Sequence, residues 1–125
     1  MAIKAYGKKA WLIADGFWHS KSNGLFPSHE AICVVNTSDR DAKIKITLFF
    51  ENEDELGGFT AFCPARKTNH IRMDKLISST SKPVPIDKPY AMLIESDTEI
   101  VIQYSRMDTS QAEMALMTTI AYSID

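Results

Sequence analysis

Side chains able to do chemistry gather in two stretches of the chain. Ile102-Gln103-Tyr104-Ser105-Arg106-Met107-Asp108, followed by Gln111 and Glu113, puts amide, guanidinium and carboxylate groups into a run whose apolar residues recur every second position. Arg66-Lys67-Thr68-Asn69-His70-Ile71-Arg72 places Arg66, Thr68, His70 and Arg72 on one side of an extended chain. Arginine offers bidentate geometry to carboxylates and phosphates. A buried polar group without a partner costs about 1–3 kcal/mol, so such densities occur as satisfied networks or as ligand sites. If the two stretches neighbour one another, Arg66, His70, Arg72, Gln103, Arg106, Asp108, Gln111 and Glu113 form one polar surface. It would suit an anion, a polyol or another protein. Trp18, in a loop with Phe17 and Phe26, is the aromatic best placed to touch a ligand or partner.

Other chemistries find less support. His29, Glu30 and His70 are of the types that bind Zn, Mn or Fe, yet their spacing matches no HxH, HExxH or two-His-one-carboxylate run. They are weak metal candidates, and no metal or cofactor is expected. There is no GxSxG elbow, no Walker motif and no GxGxxG, so the expectation is a protein that is not an enzyme. Its 125 residues carry a net charge of −2, with no basic field of the kind that drives phosphate-backbone binding. Nucleic acid is not an expected partner. Met1 to Asp15 has no apolar run behind its lysines, which argues against a secretory signal, and no stretch reaches the ~20 apolar residues of a membrane helix. A cytoplasmic protein is expected. Cys33 and Cys63, both in apolar segments, read as buried free thiols.

Strands must position these groups. Lys43 to Glu51 alternates most cleanly, with Ile44, Ile46, Leu48 and Phe50 on one face and Lys43, Lys45 and Thr47 on the other. Ala10–Asp15, Ala31–Val35, Phe59–Cys63, Arg66–Met73, Tyr90–Glu95 and Thr98–Met107 complete the strand expectations, with a turn at Ser96-Asp97. Gly16–Pro27 and Ile77–Pro89 read as loops. After a turn through Glu113, Met114–Tyr122 reads as a strand; a helix over Gln111–Met117 is the alternative, because Ser110-Gln111-Ala112-Glu113 fits a capping box. Short strands at near-regular spacing predict a single domain over residues 1–125. Its fold would be all-β, a two-sheet antiparallel sandwich (jelly-roll-like) with few or no helices.

The polar signatures also carry a resemblance. Trp11-Leu12-Ile13-Ala14-Asp15-Gly16, Ser28-His29-Glu30, Asp39-Arg40-Asp41-Ala42, Pro64 to Arg72, and Gln103 to Asp108 running on to Tyr122 resemble the sensory rhodopsin transducer family, in order and at similar spacing. The resemblance implies a β-sandwich protomer in a homotetramer. It also implies a cytoplasmic, non-catalytic signalling protein docked from the cytoplasm onto a seven-helix retinal protein, a sensory rhodopsin. It carries over no catalytic residue. The family fold looks like carbohydrate-binding sandwiches, so the alternative reading is a module for a small polar ligand such as a sugar or sugar acid. A metal-dependent sugar-modifying enzyme is the more remote one. The chain departs from the family pattern mainly in the Phe17–Pro27 and Ser78–Pro89 loops.

Overall fold

Alternation along the third strand sets the architecture. Ile44, Ile46 and Leu48 are buried while Lys43 and Lys45 face away, and every other strand must bring an apolar face to meet that one. The computed structural model describes residues 3–125. Met1 and Ala2, the first residues of the Met1–Asp15 stretch that argues against a secretory signal, lie outside the described residues. The strands are β1 Lys8–Gly16, β2 His29–Asn36, β3 Ala42–Phe49, β4 Leu56–Cys63, β5 Lys67–Arg72, β6 Tyr90–Asp108, β7 Ala115–Ile120 and β8 Tyr122–Ile124. A single 3-10 turn, Met73–Lys75, follows β5. No α-helix occurs among the described residues, and no helix is long and apolar enough to cross a membrane.

Two antiparallel sheets share one strand. The first runs β4-β3-β6-β1-β8 and the second β5-β2-β6-β7. β6 is 19 residues long. Its first half pairs with β3 and β1, and its second half, Val101 to Asp108, with β2 and β7. The expected turn at Ser96-Asp97 is instead the region where β6 passes from one sheet to the other. Asp97 accepts the backbone N–H of Lys43 at 2.8 Å, so a residue type that commonly signals a turn acts here as a cross-strand clamp.

Trp11 and Ile13 from β1, Ile32 and Val34 from β2, Met92 and Ile94 from early β6, and Ile100, Ile102 and Tyr104 from late β6 fill the space between the sheets with the β3 residues. Cys63 is buried there, and burial pushes its thiol above the usual range. Cys33, expected to be buried as well, is only partly so, because it faces outward from β2. The C-terminal segment is a strand, as expected, but an interrupted one. Ala121 is buried and donates its N–H to the Ile102 carbonyl at 3.1 Å; there the chain leaves the second sheet and continues as β8 beside β1. The helical alternative over Gln111–Met117 does not form.

Candidate functional site: a braced carboxylate and the loop above it

β1 ends, β2 begins and both termini of β6 meet in one region. Gly16 closes β1 opposite Tyr90. A Cβ there would lie 2.6 Å from the Tyr90 ring, so glycine is what lets the phenol lie against the chain. The period of two in β2 turns Glu30 inward with Ile32 and Val34, and His29 and Ala31 outward. Glu30 is 1% exposed. A charge at that depth needs partners, and three donors converge on it. The Tyr90 hydroxyl donates to Oε1 at 2.6 Å, the Phe17 backbone N–H donates to Oε2 at 2.7 Å, and the Tyr104 hydroxyl donates to Oε2 as well.

Arg106 extends this network to the surface. It stands opposite Glu30 in the β2–β6 ladder. Its Nε donates to the Tyr104 oxygen at 3.1 Å, and a terminal nitrogen donates to the Asp15 carbonyl at 2.8 Å and to the Asp15 carboxylate at 3.2 Å. Burial, and then the adjacent Glu30 charge, hold both the Tyr90 and Tyr104 hydroxyls well above the usual phenol range. They stay protonated and act as donors. Tyr104 and Asp15 also line a groove of about 390 Å³ with Met117 and Tyr122.

A second polar knot fixes the loop between β1 and β2. The Ser28 hydroxyl donates to the Lys21 carbonyl at 2.9 Å and accepts the Thr109 N–H at 2.9 Å. Asn23 donates its backbone N–H to the Thr109 carbonyl at 2.7 Å and its side-chain amide to the Ser110 carbonyl at 2.7 Å. Asp87 of the Ile77–Pro89 loop accepts from the Ser20 backbone and hydroxyl and donates its own N–H to the Trp18 carbonyl at 2.7 Å. Those Ser20 hydrogen bonds, aided by His19, hold the Asp87 carboxyl below its usual range.

The residues grouped from sequence are divided by the fold. His70 and Arg72 in β5 and Gln103 in β6 face outward from the second sheet, aligned through Cys33 and Ala31 of β2. Arg72 grips Asp74 with two hydrogen bonds of 2.9 Å. Arg106 lies on the opposite face of that sheet. Arg66 is not in a strand: its φ is 57°, in the turn before β5, and its guanidinium donates to the Thr37 carbonyl at 2.6 Å. Asp108 caps the turn after β6, and the Ser110 hydrogen bonds hold its carboxyl below the usual range. Gln111 and Glu113 are exposed in that turn, and Trp18 is partly buried against the core. His29 and His70 point outward while Glu30 points inward, and no group of three or more metal-binding side chains exists among the described residues. Sequence reasoning did not single out Tyr90 and passed over Tyr104 as a strand residue. The available signal was Glu30 itself, a carboxylate beside the apolar run Ala31 to Val35.

The sequence model of the Anabaena sensory rhodopsin transducer family matches residues 6–123. The chain belongs to that family. Among solved structures, this family member superposes on Thermotoga maritima 1070 with a TM-score of 0.85 at 36% identity, covering 94% of this chain and 96% of that one. It superposes on the Anabaena sensory rhodopsin transducer with a TM-score of 0.74 at 35% identity, covering 87% and 96%. No curated protein matches the sequence of this transducer-family chain.

Proposed function

We propose that this chain is a cytoplasmic signalling protein of a single domain that works by binding, without catalysis, and relays the state of a sensory rhodopsin as a homotetramer. The observation that carries the reading is the match to a solved sensory rhodopsin transducer over most of the chain. It is supported by a site whose donors are spent on one another. Among the described residues, no buried side-chain nitrogen or oxygen lacks a hydrogen-bond partner, so the Glu30 network reads as a brace for the loop and both sheets. Self-association is supported by the second sheet. Its outer face carries the cross-strand pair Val35 and Val101 together with Ile120, opposite Gln103, and Leu116, opposite Met107; Leu116 is 70% exposed on a strand that pairs only with β6 among the described residues. Exposed apolar edge strands of this kind are ordinarily covered. His70, Arg72 and Gln103 would form polar contacts on that face, with Arg106, Asp108, Gln111 and Glu113 nearer the β1–β2 loop.

Light scattering tests the assembly: a mass four times the 14.0 kDa chain is expected. Calorimetric titration onto a bilayer-embedded retinal protein of the same organism then tests coupling. A monomer that gives no heat overturns the reading. A second reading, binding of a sugar or sugar acid, is favoured by one observation. The outer face of the first sheet has a groove of about 590 Å³ lined by Lys43, Lys45, Thr60, Glu95 and Asp97, which offers both donors and acceptors to a polyol. A saccharide at 100 times its dissociation constant adds about 2.7 kcal/mol of stability, and the absence of any thermal shift across a saccharide panel counts against it.

A further inference from the structure

In the loop between β1 and β2, one ring nitrogen of His19 lies near two groups that make opposite demands on it. The Lys21 backbone N–H donates to Nδ1 at 3.2 Å, which requires Nδ1 to be without a proton. Asp87 Oδ1 lies 3.7 Å from the same nitrogen. An ionised carboxylate only accepts, so that contact closes into a hydrogen bond only when Nδ1 carries a proton. One atom cannot serve both partners at once. Asp87 is a fixed receiver: its φ is 58°, its N–H donates to the Trp18 carbonyl at 2.7 Å, and its carboxylate accepts the Ser20 N–H at 2.9 Å and the Ser20 hydroxyl. Two carboxylate oxygens have lone pairs left for a third donor. The Ser20 bonds hold Asp87 below the usual carboxylate range, so it stays ionised between about pH 5 and 8, where imidazoles gain their proton. From the end of β6, Asp108 also feels the charge of His19. The remaining charged groups at this end are Lys21 and Glu113, both exposed, and the pairs Asp15 with Arg106 and Glu53 with Lys88. The Phe17 ring stands edge-on to the imidazole, with centroids 5.8 Å apart. The His19 side chain is 37% exposed, so solvent protons reach it. We propose that His19 is a proton-operated latch: neutral, it ties the loop to its own turn at Lys21; protonated, it releases that N–H and ties the loop to Asp87 of the Ile77–Pro89 loop. The Lys21 carbonyl accepts the Ser28 hydroxyl, so the released turn lies at the base of the polar knot.

The latch needs neither a retinal protein nor a ligand, so its failure leaves the transducer reading standing. Nitrogen-15 NMR of the full chain over about pH 8 to 5 tests it. Expected at the upper end is a neutral ring with its proton on Nε2. As the pH falls, the Lys21 amide should shift with the same midpoint as the His19 ring. Its protection from hydrogen exchange, taken against the intrinsic rate at each pH, should drop about two- to tenfold, the worth of one hydrogen bond. His19→Asn supplies a pH-independent copy of the neutral state, because an asparagine oxygen accepts the N–H two residues on. Its Lys21 amide should hold still over the same range. Asp87→Ala removes the receiver and should move the His19 midpoint to lower pH. The proposal is overturned by a neutral ring whose proton sits on Nδ1, or by a Lys21 amide that ignores the His19 titration. It is equally overturned if that amide moves as much in His19→Asn, or if Asp87→Ala leaves the midpoint unchanged. The first two results come from the parent alone and decide the matter even where a variant does not fold.

Discussion

Replacing Glu30 by alanine is the sharpest perturbation of the braced region. The substitution leaves the Phe17 N–H and the Tyr90 and Tyr104 hydroxyls without their acceptor. At about 1–3 kcal/mol for each stranded donor, the three sum to roughly 3–9 kcal/mol. The space of the lost side chain admits water and lets the hydroxyls rotate, so the lower part of that range, about 3–5 kcal/mol, is expected. Domains of this kind have total stabilities of about 5–15 kcal/mol, so the variant should be barely folded. Glu30→Gln keeps an oxygen at the doubly used position and turns its amide toward Tyr90, whose oxygen can accept; about 1–2 kcal/mol is expected, the loss of charge assistance. Glu30→Leu combined with Tyr90→Phe and Tyr104→Phe removes the two phenol donors with the acceptor and should recover part of the alanine loss, the Phe17 N–H and the Arg106 Nε staying without their acceptors. Urea unfolding followed by tryptophan fluorescence measures all three. If Glu30→Ala shifts stability by less than 1 kcal/mol, or the triple variant is worse than the single one, the carboxylate is not the hub described here.

Two further outcomes follow from the same geometry. Tyr90 and Tyr104 have folded-state pKa values raised above the unfolded value of about 10, so their contribution is complete below that pH and is lost as pH rises toward their folded pKa values. Stability should fall above pH about 10 by up to about 1.4 kcal/mol per unit for each phenol, and Tyr90→Phe/Tyr104→Phe should flatten that slope in urea titrations at rising pH. Gly16→Ala drives a methyl group into the Tyr90 ring; a loss of about 1–3 kcal/mol is expected. Hydrogen exchange at the Phe17 amide should rise with it, and an unchanged melting temperature would contradict the close approach.

Much of the fold is legible in the chain because a period of two is a local signal. Ile44, Ile46 and Leu48 inside with Lys43 and Lys45 outside could be read directly, as could Trp11 and Ile13 inward. The Ser96-Asp97 turn misled because residue preference is also local, whereas the clamp to Lys43 spans 54 positions. Arg66 read as the start of a strand because alternation cannot show a positive φ at a non-glycine residue. The braced carboxylate was the least legible part. Glu30 lies 60 and 74 positions from the tyrosines that hold it, and nothing near His29-Glu30 announces them. A lone carboxylate leading an apolar strand told only that partners must exist.

The long shared strand has a consequence for how the protein is made. β6 is the neighbour of β1, β2, β3 and β7, and it is synthesised after three of them. Until Tyr90–Asp108 leaves the ribosome, the nascent chain can form only the β3–β4 and β2–β5 ladders, and β1 has nothing to pair with. Two-stranded pieces of that kind are marginal on their own. The apolar faces of β1, β2 and β3 therefore wait in the open until β6 is available, and neither sheet can close before then.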